Sequence, residues 1–119
     1  MSVRAQAVVK DKRHMRRFPR YRLDSRIQVS VFRDGRTTSC WGRTNEIGQD
    51  GIGATLSGEL QAGEVVSLEF PIPLAPNVIK LRAVVRYCDG LRCGFEFLVV
   101  TDEQRSTLRQ LCVVLSTAS

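Results

Sequence analysis

The stretch from Ile27 to Arg43, IQVSVFRDGRTTSCWGR, decides the fold. Its first residues alternate between apolar and polar side chains, with Ile27, Val29 and Val31 on one face. A period of two is typical of a β-strand that buries one face. Asp34 and Gly35 follow, and both tolerate the positive φ that a tight hairpin needs. The pattern therefore predicts a β-hairpin whose second strand runs from Thr37 to Arg43.

Downstream of this hairpin the sequence continues in short strand patterns separated by turns. The predicted strands cover residues 52–56, 65–70, 78–87 and 93–99. The turns between them are Gln61–Gly63, a proline loop around Pro71, Pro73 and Pro76, and a second hairpin at Asp89-Gly90. Half a dozen short strands joined by tight turns predict a barrel or a sandwich.

The C-terminal residues change to a helical pattern. Thr101 and Gln104 have the spacing of a capping box, in which each side chain covers a backbone amide of the first helical turn. Apolar residues then recur on one face of a helix, at Leu108, Leu111, Cys112 and Leu115. We expect this stripe to cover one side or end of the barrel.

Length and composition are those of a single globular domain without a membrane span. The chain has 119 residues, 43% of them hydrophobic, and no run of about 20 apolar residues. Its N-terminus is charged, with no hydrophobic signal core, which predicts a cytoplasmic protein of bacterial type. Nine of the 18 Lys and Arg residues but only two of the 12 Asp and Glu residues lie in positions 1–26. The net charge of +6 therefore resides in that segment, and the remainder is nearly neutral.

The sequence offers neither a metal site nor a catalytic set. There is one histidine, His14, and none of the four cysteines forms a CxxC pair, so no metal or cofactor is expected. We expect free thiols, because a two-residue loop at Asp89-Gly90 places Cys88 opposite Leu91 and not opposite Cys93. The acidic residues are scattered, and no lysine completes a phosphate-binding loop after the glycines. The protein is predicted not to be an enzyme.

The strongest functional feature is an arginine segment, Arg13–Arg26, that contains no lysine. Pro19 biases it toward an extended loop. In such a loop, Arg16, Arg17 and Arg20 can converge on one ligand. Arginine binds phosphate oxygens with its planar fork, reads guanine O6 and N7, and stacks on a base. The segment therefore predicts a site for a dianionic guanine nucleotide.

A second candidate element is the glycine-rich stretch Thr44–Gly53, TNEIGQDGIG, between two predicted strands. We expect its glycines, at positions 48, 51 and 53, to adopt left-handed backbone geometry and to let the backbone approach a ligand closely. Because it follows the arginine segment, this turn is a candidate second wall of the same site.

These features together resemble the PilZ domain, a bacterial receptor module for cyclic di-GMP. Arg16 and Arg20 match the family's RxxxR motif in RRFPRYRLD, just before the first strand. The second motif, Asp or Asn followed by Ser and Gly, aligns with Glu46, Gly48 and Gly51. The later strand pair VVRYCDGLRCGFEF, with a terminal helix after it, is also similar to the family. The resemblance covers most of the chain from Arg16 onward.

The resemblance implies a mostly β fold, a six-stranded antiparallel β-barrel of the split-barrel type with a C-terminal α-helix. We expect a flexible basic N-terminal arm at residues 1–15 and the PilZ-like domain at residues 16–119. The implied ligand is cyclic di-GMP, bound by a list of six residues: Arg16, Arg17, Arg20, Glu46, Gly48 and Gly51. Binding would order the arginine segment and pass the signal to a downstream protein in motility or biofilm regulation.

The second motif departs from the family at two positions, which leaves two alternatives open. Glu46 replaces Asp or Asn and Gly48 replaces Ser, and one lost hydrogen bond to a charged group costs roughly 1.5–3 kcal/mol. A domain with that loss would be a degenerate PilZ domain that acts only as a protein-interaction module. The second alternative is a small basic nucleic-acid-binding barrel with Trp41 and Tyr21 as stacking residues. The neutral barrel body and the packing expected of Trp41 count against it.

Overall fold

The computed structural model describes residues 17–73, 78–98 and 100–118. It contains seven strands and one helix, and most contacts between these elements join neighbouring strands. The elements are β1 (Tyr21–Arg22), β2 (Arg26–Arg33), β3 (Arg36–Ile47), β4 (Gly51–Leu56), β5 (Val65–Pro71), β6 (Val78–Asp89), β7 (Arg92–Phe97) and α1 (Asp102–Ala118). The N-terminal arm at residues 1–15 and the site residue Arg16 lie outside the described residues.

Six of the strands close into an antiparallel barrel. Hydrogen bonding follows the order β3-β2-β5-β6-β7-β4, and β4 pairs again with β3 to close the ring. The short strand β1 adds to the free side of β3, with Tyr21 opposite Ile47 and Arg22 opposite Glu46. The predicted six-stranded barrel with a C-terminal helix is confirmed, and β1 is an addition that the sequence pattern did not reveal.

The barrel interior is filled by the alternating apolar residues of the strands. Ile27 and Val29 of β2 have no exposed surface, and neither do Leu68 and Phe70 of β5. Full burial of such side chains contributes about 1.5–3 kcal/mol each. The first hairpin is confirmed, because Arg33 pairs with Arg36 across a two-residue turn at Asp34 and Gly35, whose φ angles are 51° and 77°.

The second hairpin differs by one residue from the prediction. Asp89 pairs with Arg92, so the turn is Gly90-Leu91 and Cys88 lies directly opposite Cys93. The expected free thiols are wrong for this pair, which forms a disulfide with a Cα–Cα distance of 4.2 Å. Gly90 is the first residue of this turn, with φ of 64°, and glycine is favoured there in a two-residue hairpin as well as after an aspartate, so the predicted turn lies one residue too early. Cys40 and Cys112 are free.

Helix α1 begins with the predicted capping box. The backbone amide of Gln104 donates to Thr101 Oγ1, and the amide of Thr101 donates to Gln104 Oε1. Leu108, Leu111 and Cys112 are buried, and Leu115 packs against the barrel core. The helix contacts β1, so it lies beside the segment that carries Arg20. Among the described helices, none is long and apolar enough to cross a membrane.

Candidate functional site

The position of Arg20 is fixed by the strand that follows it. Tyr21 and Arg22 form β1 against the last residues of β3, and the amide of Leu23 donates to the carbonyl of Asn45. Arg20 therefore lies at the end of β3, beside the turn that leads into β4. This end of the barrel, with Arg20, Glu46 and Asp50, is called the arm end below.

The guanidinium of Arg20 lies between two carboxylates. Its Nη1 atom is 3.6 Å from Glu46 Oε2, and its Nη2 atom is 3.7 Å from Asp50 Oδ1. These are ion-pair distances, longer than the 2.7–2.9 Å of a direct charge-assisted hydrogen bond. Only 14% of the Arg20 side chain is exposed, so its charge lies in a partly desolvated place where electrostatic interactions are stronger than in water.

Two glycines of the second motif make room for this arginine. A β-carbon on Gly48 would lie 2.8 Å from Arg20 Cδ and 2.8 Å from the carbonyl oxygen of Pro19. A β-carbon on Gly51 would meet the carbonyl of Phe95 and would lie 2.9 Å from Arg20 Nη2. The expected left-handed backbone at glycines 48, 51 and 53 is wrong, because in the described residues positive φ occurs at other glycines. These glycines are needed for space.

Helix α1 reaches the same place. Burial raises the pKa of the Cys112 thiol, and the nearby charge of Arg20 acts in the opposite direction. The amide of Phe97 donates to the carbonyl of Asp50, which ties the end of β7 to the turn. Arg20, a residue of the arginine segment, is thus close to both the β3–β4 turn and helix α1. A displacement of the Arg20 side chain would change its contacts with the turn and the helix, and it would move the arginine segment itself.

Of the six site residues predicted from the sequence, the structure brings four together: Arg20, Glu46, Gly48 and Gly51. Arg17 is exposed at the beginning of the described chain, and Arg16 precedes it. Asp50 was not predicted, because the second motif leaves its position variable. The sequence shows only a carboxylate between two motif glycines, and its nearness to Arg20 is seen only in the structure.

The opposite end of the barrel carries a different arginine. Arg33, at the end of β2, donates from Nε and Nη2 to the two oxygens of Glu64 at 2.7 Å each. A cavity of about 470 Å³ lies there, lined by the set Arg33, Asp34, Glu59, Leu60, Gln61 and Glu64. This end, with Arg33, Glu64 and the β2–β3 turn, is called the hairpin end. Its lining is mainly acidic, which does not suit an anionic ligand.

Trp41 is not a packing residue of the core, contrary to expectation. Its side chain is 49% exposed on the outer face of β3, and the guanidinium of Arg26 lies 5.9 Å from the centre of its ring. Such a cation–π pair at an exposed site contributes about 0.5–1 kcal/mol. Trp41 is far along β3 from Glu46 and does not contribute to the arm end.

Comparison with known proteins identifies the domain type. The family model for the PilZ domain matches residues 14–113. The fold is similar to the PilZ domain of Escherichia coli YcgR solved with c-di-GMP, with a TM-score of 0.67 and 21% identity over 87% of this chain and 92% of that one. It is also similar to the PilZ domain of CeSA from a cellulose-synthesizing bacterium, with a TM-score of 0.65 and 16% identity over 82% of this chain and 98% of that one.

Longer relatives match over part of their length. Complete YcgR in complex with c-di-GMP gives a TM-score of 0.71 and 21% identity over 87% of this chain and 46% of that one. The Bacillus subtilis inhibitor of motility, MotI/DgrA, gives a TM-score of 0.67 and 18% identity over 87% of this chain and 52% of that one. This chain therefore spans about half the length of these two proteins. No curated protein matches its sequence.

Proposed function

Because the chain belongs to the PilZ domain family, we propose that it is a receptor that binds cyclic di-GMP at the arm end of the barrel. PilZ domains are binding domains and not enzymes. The observation that carries the proposal is the placement of Arg20, which lies over Gly48 and Gly51 and between Glu46 and Asp50. The resemblance to YcgR, which was solved with this ligand, supports the same ligand class.

The geometry suggests how the ligand would be held. A phosphate of cyclic di-GMP carries the same charge as the carboxylates that now flank Arg20, so it can take their place at the guanidinium. Glu46 would then be released to accept from the N–H groups of a guanine. Arg16 and Arg17 would close over the ligand from the other side. Each charge-assisted bond contributes about 1.5–3 kcal/mol, so removal of one arginine should weaken binding strongly.

The same contacts suggest how binding would be communicated. Arg20 is followed at once by β1, and β1 contacts both β3 and helix α1. A ligand that moves Arg20 would shift the arginine segment relative to the barrel and change the surface that it presents. We propose that a downstream protein, in motility or biofilm regulation, recognises this changed surface.

A second function is favoured by the two departures in the second motif. Gly48 stands where the family has serine, and the side chain of Arg20 fills the space that a serine would occupy. Glu46, in place of Asp or Asn, also lies at ion-pair distance from the arginine. A domain whose arginine is permanently held in this way would be a protein-interaction module without a ligand.

Calorimetric titration of the full chain with cyclic di-GMP tests the proposal. We expect micromolar or tighter binding, and a loss of roughly 100-fold or more in Arg20→Ala and Arg16→Ala. Arg33→Ala, which removes an arginine of equal charge from the hairpin end, is the matched control and should bind as the wild type does. If the wild type gives no heat at high ligand concentration, the receptor proposal is wrong. Binding that appears only in Glu46→Asp/Gly48→Ser would then support the interaction module.

A further inference from the structure

Two exposed apolar side chains lie side by side on the outer surface of β2 and β5. Phe32 is 72% exposed, the largest exposed fraction among the large apolar side chains of the described residues. Val31 pairs with Val66, so the next outward-facing residues, Phe32 and Val65, are neighbours across the two strands, and Val65 is 46% exposed. Single exposed apolar residues are common, but an adjacent pair beside a depression indicates a contact surface. Phe32 and Val65 are called the apolar pair below.

A row of serines beside the apolar pair forms that depression. Ser39, Ser30 and Ser67 lie opposite one another on β3, β2 and β5, and the hydroxyls of Ser30 and Ser39 share a hydrogen bond of 3.0 Å. Outward-facing residues of a strand are two positions apart, so the serine row lies about 7 Å from the apolar pair. Because serine is much shorter than phenylalanine, the surface is lower here, and a groove of about 140 Å³ results.

Arg82 lines the same groove from β6 and has no acidic partner in the described part of the chain. It lies opposite Ser67 and adds a guanidinium to the lining. The other two basic residues of the strand, Lys80 and Arg86, are each within ion-pair distance of a glutamate. Arg82 forms no ion pair with any carboxylate of the described residues, and it is exposed. Its guanidinium is therefore available to a carboxylate from another molecule.

The groove has the size and chemistry to hold one side chain of a partner protein. A cavity of about 150 Å³ holds a benzene molecule, so this groove accommodates one phenyl ring or leucine side chain and is too small to enclose a nucleotide. The apolar pair can pack against that side chain, and Arg82 can bind an adjacent carboxylate with its planar fork. Both β2 and β5 are paired on each side, so no strand can be added here and recognition must use side chains.

We propose that this groove is a docking site for a segment of another protein in which an aromatic or branched apolar residue lies next to an aspartate or glutamate. Phe32 is the main contact, because exposed aromatic residues are among those that contribute most at interfaces. Arg82 selects acidic segments and disfavours basic ones. The groove is built from β2, β5 and β6 and contains no residue of the arm end, so this inference does not depend on binding of cyclic di-GMP.

A small probe that carries both features is N-acetyl-L-phenylalanine, which has a phenyl ring and a free carboxylate. Titrated into the isotope-labelled full chain, it should shift the amide NMR signals of Phe32, Ser67 and Arg82 with a dissociation constant of about 1 mM, as is usual for a fragment of this size. N-acetyl-L-phenylalaninamide lacks the charge and should bind about threefold to fivefold more weakly. Arg82→Gln should abolish this preference, and Arg86→Gln, on the same strand, should keep it.

Selection of short phage-displayed random peptides on the full chain tests whether the groove recognises protein segments. Enriched peptides should carry an apolar residue next to an acidic one and should bind Phe32→Ser about tenfold or more weakly. Trp41→Ser, which removes a 49% exposed aromatic elsewhere on the wall, is the matched control and should bind them as the wild type does. The proposal is wrong if no peptide is enriched, if the enriched peptides are basic, if they bind Phe32→Ser equally well, or if the two phenylalanine probes bind alike. Cyclic di-GMP binding to Phe32→Ser should equal that of the wild type in every case.

Discussion

The two ends of the barrel each hold an arginine against carboxylates, but they hold it differently. At the hairpin end, Arg33 makes two hydrogen bonds of 2.7 Å to the two oxygens of a single residue, Glu64. The backbone amide of Gln61 donates to the same carboxylate, so the loop that carries Glu64 also fixes the position of this side chain. At the arm end, Arg20 is shared between Glu46 and Asp50 at 3.6 and 3.7 Å.

The difference separates a structural ion pair from a ligand site. A bidentate pair has a fixed geometry, and an incoming anion would have to break both of its bonds. An arginine that two segments share at longer distances loses less interaction energy when an anion replaces one of the carboxylates. The arginine that two segments share, and not the one beside the cavity at the hairpin end, is therefore the candidate for binding.

The glycines at the two ends also differ, because the one at the arm end is crowded and the one at the hairpin end is not. A substitution at the crowded glycine is expected to have the largest effect on stability. Gly51→Ala at the arm end places a methyl group against the carbonyl of Phe95 and near Arg20, so β4 and β7 must separate locally. We expect a loss of about 1–3 kcal/mol in the free energy of unfolding, as in other overpacked sites, measured by urea denaturation. Ligand affinity should fall as well, because Arg20 is displaced.

Gly35→Ala is the matched comparison at the hairpin end. Gly35 has φ of 77° but nothing within 4 Å of its β-carbon position, so its cost is one of backbone strain alone, about 1 kcal/mol. This variant should leave ligand affinity unchanged. Equal losses of affinity in the two glycine variants would contradict the assignment of the site to the arm end.

Reduction of the disulfide between Cys88 and Cys93 is expected to have the second largest effect on stability. It closes a short loop in the β6–β7 hairpin, and the chain-entropy relation for about five residues gives about 2 kcal/mol of stability. Reduction should lower the urea midpoint of the wild type by a corresponding amount. The double variant Cys88→Ser/Cys93→Ser should be insensitive to reductant, since Cys40 and Cys112 are already free. If the wild type does not respond either, the bond contributes nothing to stability.

Most of the barrel could be predicted from the sequence, because alternation and turn residues are local signals. The hairpin at Asp34-Gly35 and the capping box at Thr101 are correct in detail for that reason. The turn after β6 is Gly90-Leu91 and not Asp89-Gly90, because glycine with positive φ is also favoured as the first residue of a two-residue turn, so Cys93 was assigned the wrong partner. The strand β1 is two residues long and has no period to detect.

The candidate site was predicted only in part, since a motif gives residue types and not their surroundings. Arg20, Glu46, Gly48 and Gly51 were predicted as one group, and the structure brings them together. Two features of the site depend on where side chains lie around the turn, which a motif does not give. The glycines make room for Arg20, and Asp50 is its second counter-charge.

A smaller effect is expected from Asp50→Asn, which tests whether Arg20 is held back by its own carboxylates. The asparagine keeps the shape and removes the charge 3.7 Å from Arg20, so an anionic ligand loses a competitor. We expect affinity for cyclic di-GMP to rise by up to about tenfold, and stability to fall by less than about 1 kcal/mol, as for a partly exposed ion pair. Asp34→Asn at the hairpin end is the charge-matched control and should leave affinity unchanged. Weaker binding in Asp50→Asn would show that this carboxylate contacts the ligand itself.

The smallest expected effect is the pH dependence of the hairpin-end pair. The hydrogen bonds from Arg33 lower the pKa of Glu64 below its usual value, so the folded state favours the charged form. The stabilisation is complete above the unfolded pKa of about 4.3 and is lost as the pH falls through the lower, folded value. Wild type and Glu64→Gln should therefore differ by up to about 1 kcal/mol at pH 7, and less at pH 3, in urea midpoints.

The control for this measurement is Glu69→Gln, because the Glu69 carboxylate lies 4.0 Å from Lys80 Nζ and that ion pair is exposed. A pair of that kind contributes close to nothing, so this variant should follow the wild type at both pH values. A Glu64→Gln difference that persists unchanged at pH 3 would mean that the side chain stabilises the loop by packing and not by its charge. The hairpin end would then not be an ion-pair site, and its contrast with Arg20 would rest on geometry alone.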